Sequence, residues 1–234
     1  MLLLLHGALG DRTTLAPFRD VLAAHGCRDV EALDFEGHGA RRAEARPFRL
    51  EHFVENAADW LRAHDGPPVE VFGYSMGGYV ALLLAAQQPA RVRSVFTLGT
   101  KLVWTPAVAA EAITPLDPAR IAEKVPRYAA ALAARHTASG WEAVVRGTAE
   151  ALVALGDAPL LTPEVLATIT CPVRLALGDR DTTVVLDELR GALQALPRGS
   201  AEVFPDTPHP FERAPLERLA RSLREFSASA AQAA

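Results

Sequence analysis

Short apolar runs alternate with longer stretches of helical spacing along this chain. Leu2–Leu5 is apolar at every position and stops at His6-Gly7. Residues 14–24 then put Leu15, Phe18, Val21 and Leu22 on one helical face, and residues 30–35 read as a second strand. A helix over 53–61, a strand over 69–72, an Ala- and Leu-rich helix over 77–87 and a strand over Val92–Leu98 follow. Strands over 173–177 and 201–204 and a closing helix over about 215–226 complete the alternation. Strands that are apolar on both faces and separated by helices predict an α/β fold, a mostly parallel sheet of six strands with helices on both faces.

Residues 101–168 break this rhythm. They hold no convincing strand, and their helical segments are punctuated by Pro106, Pro115, Pro118, Pro126, Pro159 and Pro163. A helical excursion that leaves a strand end emerges at the carboxyl edge of the sheet, where open parallel sheets bind ligands. The expected division is a core of residues 1–100 and 169–234 with a helical lid over 101–168, its end prolines forming stiff hinges.

At 234 residues the chain suits one large domain with an insertion and can bury its surface without metal or disulfide staples. Its net charge of −4, from 24 basic and 28 acidic residues, argues against a nucleic-acid partner, which needs a clustered basic excess. Two cysteines, Cys27 and Cys171, make no disulfide framework and fit a reducing compartment. The opening Met1-Leu2-Leu3-Leu4-Leu5 lacks the basic leader and cleavage site of a signal peptide. No run reaches the ~18 apolar residues of a membrane span. A cytoplasmic protein is expected.

Candidate chemistry sits in Gly73-Tyr74-Ser75-Met76-Gly77-Gly78, between the strand at 69–72 and the helix at 77–87. A serine on so sharp a turn takes a strained backbone conformation and needs small neighbours. Gly73 and Gly77 supply that room, and Gly78 lets the helix pack close to the strand. The turn lifts the Ser75 hydroxyl above the sheet edge and aims the first helical N–H groups at whatever it attacks.

A serine hydroxyl needs a base, and the base needs an acid to orient it. Of seven histidines, His209 alone follows the last strand, within Pro205-Asp206-Thr207-Pro208-His209-Pro210. Asp179 and Asp181 both lie in the loop after the preceding strand, Gly178-Asp179-Arg180-Asp181, and chain order does not separate them. The His6-Gly7-Ala8-Leu9-Gly10 loop can give one backbone N–H to an oxyanion, and Met76, directly after the serine, another. His6 is read as holding that loop.

These pieces, together with Asp34-Phe35-Glu36-Gly37-His38-Gly39, resemble in order and over residues 6–209 the α/β-hydrolase superfamily, in particular its small, lidded serine hydrolases. The resemblance implies that the acid is Asp181, last in a Gly-x-x-Asp pattern. It also implies that Ala8, after His-Gly, is the first oxyanion donor. There are three departures. The chain starts on the His-Gly strand with no hairpin before it, which puts Leu2–Leu5 nearer a sheet edge. Glu36 stands where the family's turn has proline, and is read as a solvated turn residue. Ser75 occupies the position at which a nucleophilic Asp would indicate haloalkane dehalogenase or epoxide hydrolase chemistry.

The function expected is a serine hydrolase of the esterase/thioesterase type acting on a small-molecule acyl substrate. Ser75 attacks, His209 is the base and Asp181 orients it, with no cofactor and no metal required. Trp104, Tyr128 and Trp141 are read as lining an acyl pocket, with Leu102, Val103, Ile113 and Leu132 beside them; packing the lid onto the core is the competing role. His136 is expected to face water, and Arg41, Arg42, Arg46 and Arg49 a solvated loop surface. The alternatives are a lyase resembling the menaquinone-pathway synthase, which carries arginine where this chain has Tyr79, a C–C bond hydrolase or perhydrolase, and a non-catalytic ligand-binding relative.

Overall fold

The computed structural model describes residues 1–232. Strands β1 (Leu2–Leu5), β2 (Val30–Leu33), β3 (Val69–Tyr74), β4 (Val92–Leu98), β5 (Val173–Gly178) and β6 (Gly199–Phe204) form one sheet, ordered β2-β1-β3-β4-β5-β6. Every pairing is parallel. β1 lies one strand in from the β2 edge, with Leu5 opposite both Leu33 and Gly73.

Helices α1 (Ala16–Ala24), α2 (Leu50–Ala63) and α3 (Met76–Gln87) precede β4; α4 (Pro106–Ile113), α5 (Pro118–Lys124), α6 (Pro126–Arg135), α7 (Trp141–Asp157) and α8 (Pro163–Ala167) lie between β4 and β5. α9 (Leu186–Ala195) joins β5 to β6, and α10 (Leu216–Gln232) closes the described chain. Strand periodicity divides the core. Leu3, Leu5, Val71, Val95 and Leu175 pack with α2, α3 and α9, whereas Leu2, Leu4, Phe72, Phe96 and Phe204 pack with α1 and α10. α3 is apolar all round and accordingly buried along almost its whole length.

In the inserted segment, Pro106, Pro118, Pro126 and Pro163 each open a helix, at the position where a missing N–H breaks no helical bond. Core side chains tie down both ends of the segment. Glu188 of α9 accepts the Leu102 and Val103 N–H groups, each at 3.1 Å, and pairs with Lys101 at 3.0 Å. The Tyr79 hydroxyl of α3 accepts the N–H groups of Leu160 at 3.1 Å and Leu161 at 2.8 Å.

Glu36 departs from expectation: it is not solvated but fully buried. Arg46 donates to both its carboxylate oxygens, at 3.0 and 2.6 Å, and Asn56 Nδ2 donates at 3.0 Å. Arg46 therefore belongs to an ion-pair network that also includes Glu44 and Glu55, and not to a free basic face. Burial alone would raise the Glu36 carboxyl, but the donors from Arg46 and Asn56 outweigh it and hold the group below the usual carboxylate value. Arg46→Ala leaves a buried charge without its partner and is expected to cost about 1–3 kcal/mol of stability at pH 7 in urea titrations. A depressed folded-state pKa stabilises above the unfolded value and is lost as pH falls. The gap between wild type and variant should therefore narrow as pH drops through the carboxylate range.

Candidate active site

β1 and β3 are neighbours in the sheet, but the chain runs from β1 out to β2 and returns past β1 to β3. That reversal opens a crevice at the carboxyl edge, and the loops after β1 and β3 meet there. Ser75 sits between β3 and α3 at φ 51° and ψ −117°, a strained conformation for an L-residue. Its N–H donates to the Leu98 carbonyl at 2.9 Å, and Thr100 Oγ1 donates to its carbonyl at 3.1 Å. A Cβ on Gly73 would strike the backbone of Gly77 and Gly78; on Gly77 it would strike the Leu5 and His6 backbone, and on Gly78 the Thr100 side chain.

His209 arrives from the loop after β6. Its Nε2 lies 3.2 Å from Ser75 Oγ, and its Nδ1 lies 2.7 Å from Asp181 Oδ2. Asp181 also accepts the N–H groups of Thr183 at 2.7 Å and Val184 at 3.0 Å. Burial pushes its carboxyl up, but the hydrogen bond and charge of His209 and the two amides outweigh that and hold it below its ordinary value. An ionised Asp181 accepts a hydrogen bond from the Nδ1–H of His209, leaving the Nε2 lone pair to accept from the Ser75 hydroxyl. Asp179 does not reach His209; it accepts the Thr207 N–H at 3.2 Å.

Three supporting residues were not evident in the sequence. The Tyr74 hydroxyl donates to the His209 carbonyl at 2.9 Å. Thr100 braces the Ser75 turn as described above. Gly99, at φ 63°, lies under the Asp181–His209 pair, where an added Cβ would come 3.2 Å from Asp181 Oδ2 and 3.3 Å from His209 Nδ1. Only the serine turn among these features has a local pattern; the rest depend on which strand ends become neighbours.

Ala8 is exposed at the site and Met76 begins α3. Among the described residues neither N–H has a protein acceptor. His6 donates from Nδ1 to the Gly7 carbonyl at 2.8 Å and accepts the Phe35 N–H at 3.3 Å, and burial lowers its pKa to about 4. Ser75, His209, Ala8 and Met76 open on a cavity of about 760 Å³ whose wall also includes Trp104, Val108, Leu116, Tyr128 and Leu155. Trp141 is not on that wall: it opens α7 and packs against the hydrophobic core. Leu102 and Leu132 are likewise core residues, and Val103 is half exposed. His136 is buried, contrary to its expected exposure. Among the described residues no cluster of His, Cys, Asp and Glu is arranged to hold a metal ion, and no helix is long and apolar enough to cross a membrane.

The chain matches the model of the alpha/beta hydrolase family over residues 2–222 and belongs to that family. It is 30% identical over 224 residues to a pimeloyl-[acyl-carrier protein] methyl ester esterase of Chromobacterium violaceum, covering 88% of this chain and 83% of that one. It is 28% identical over 104 residues to a probable alcohol acetyltransferase of Cyberlindnera fabianii. That match covers 44% of this chain and only 28% of the acetyltransferase, so the chain spans less than a third of that protein's length. The fold is similar to that of NosK from Streptomyces actuosus, with a TM-score of 0.83 and 21% identity over 98% of this chain and 97% of that one.

Gly99→Ala forces a left-handed backbone on a residue with a Cβ, beneath a pair that has little room to give. It is expected to cost about 1–2 kcal/mol, read as a lower urea midpoint with the slope unchanged. A midpoint equal to that of wild type would contradict this account of the site floor.

Proposed function

We propose that this chain is a serine hydrolase that cleaves carboxylic esters or thioesters through an acyl-enzyme on Ser75. The observation that carries this reading is the hydrogen-bonded chain Ser75 Oγ, His209, Asp181, with 3.2 and 2.7 Å links, opening on the large cavity. Ser75 attacks the acyl carbonyl while His209 Nε2 takes its proton, and Asp181 fixes the tautomer and stabilises the imidazolium. The N–H groups of Ala8 and Met76 receive the developing oxyanion. His209 then protonates the leaving alcohol or thiol and activates a water to release the acid.

The apolar part of the cavity wall, with Trp104, Tyr128 and Leu116, suits an acyl chain. The helices of residues 101–168 supply that wall over a core of 1–100 and 169–234. Similarity to an esterase along most of the chain supports ester cleavage. The free thiols of Cys27 and Cys171 suit a reducing compartment such as the cytoplasm.

A fluorophosphonate probe should label the wild type and leave Ser75→Ala unlabelled. Nitrophenyl esters of increasing chain length, run beside acyl-CoAs, should be turned over, and Asp181→Asn should lower kcat by about 10³–10⁴-fold. Absence of both labelling and turnover would defeat the proposal. Labelling without turnover of any ester or thioester would favour C–C bond or lyase chemistry instead.

A further inference from the structure

Arg135 and His136 sit at the C-terminal end of α6 and reach from the inserted helices to the loop that carries Ala8. Both donate to one acceptor, the Leu9 carbonyl: Arg135 Nη1 at 2.8 Å and His136 Nε2 at 3.0 Å. Leu9 holds a left-handed φ of 57°, which a residue with a Cβ keeps only under constraint. His136 is 1% exposed, and its Nδ1 accepts the Gly39 N–H at 3.0 Å, so the ring hydrogen resides on Nε2. Burial holds its pKa below the ordinary value, which keeps Nδ1 free to accept. Arg135 Nε also lies 3.6 Å from Asp11, whose carboxylate caps the turn immediately after the loop.

We propose that Arg135 and His136 are positioning residues that fix the Ala8 N–H for the oxyanion by clamping the Leu9 carbonyl. The inserted helices are then part of the catalytic frame and not a separable cover. The inference rests on the serine-hydrolase reading above. Its physical basis is that Leu9, strained and next to the donor, relaxes when its carbonyl loses these partners, and the Ala8 peptide moves with it. Outright removal of an oxyanion donor costs about 10²–10³-fold in kcat, and a displaced donor costs part of that.

Two substitutions at 136 separate positioning from packing. His136→Asn retains an acceptor for the Gly39 N–H but offers nothing at the Nε2 position, whereas His136→Gln extends an amide donor toward the Leu9 carbonyl. Rates on a short nitrophenyl ester are normalised to the serine titrated by a fluorophosphonate, so unfolded protein does not count. His136→Asn is expected to lose about 10-fold or more in kcat with KM little changed, and His136→Gln to recover most of that loss. Arg135→Met should lower kcat in the same way. Normalised kcat values within about two-fold of wild type in both His136→Asn and Arg135→Met, or equal losses in the Asn and Gln variants, would overturn the positioning role. A wild type that neither labels nor turns over would instead overturn the hydrolase reading, and this inference with it.

Discussion

The Ser75 peptide occupies a backbone region that costs about 1–3 kcal/mol for an ordinary residue, and it persists only because its surroundings leave it no other path. Its N–H and carbonyl are both fixed from the β4 side, by Leu98 and Thr100. On the β1 side, Gly77 lies against the Leu5 and His6 backbone so closely that no side chain fits. The helix that follows is buried almost throughout, so the turn cannot relax by tilting α3 without opening the core. The hydroxyl's place at the sheet's switch point follows from these contacts, and His209 and Asp181 are positioned in relation to it.

Charge is distributed around this centre by burial as much as by pairing. Asp181 stays ionised because His209 and two amides compensate it, and Glu36 because Arg46 and Asn56 do. His6, His38 and His136 are pushed the other way, toward neutrality, by loss of solvent. A neutral ring can accept as well as donate, and two of these rings do both: His6 bridges Gly7 and Phe35, and His136 bridges Leu9 and Gly39. His38 donates to the Glu36 carbonyl at 3.1 Å, while its Nε2 has no partner among the described residues. These three rings beneath the Ala8 loop thus carry little charge of their own.

Much of this was legible in the sequence where the physics is local. Leu2–Leu5 is apolar at every position, and Val92–Leu98 sets Val95 on one face and Phe96 and Leu98 on the other, because helices cover both faces, and the strand–turn–helix around Ser75 needs glycines at fixed offsets. α9 went unread, a ten-residue helix between two candidate acids and the last strand. Asp179 and Asp181 are equivalent in pattern; they differ because one meets Thr207 and the other His209, across strand ends far apart in the chain. Glu36 looked solvated because its partners come from Arg46 and Asn56, ten and twenty positions on. His136 looked exposed for the same reason: its partners, Leu9 and Gly39, lie 127 and 97 residues away. Trp141 shows the converse, an aromatic in the right segment that serves the core.

The central claim is that the hydroxyl at position 75 becomes acylated during turnover. The most direct measurement is peptide-mapping mass spectrometry of protein quenched in acid while it turns over a nitrophenyl ester. The account predicts one added acyl mass, confined to the peptide containing Ser75. An adduct on any other residue, or turnover with no trapped adduct even when deacylation is slowed by a bulky acyl group, would contradict it.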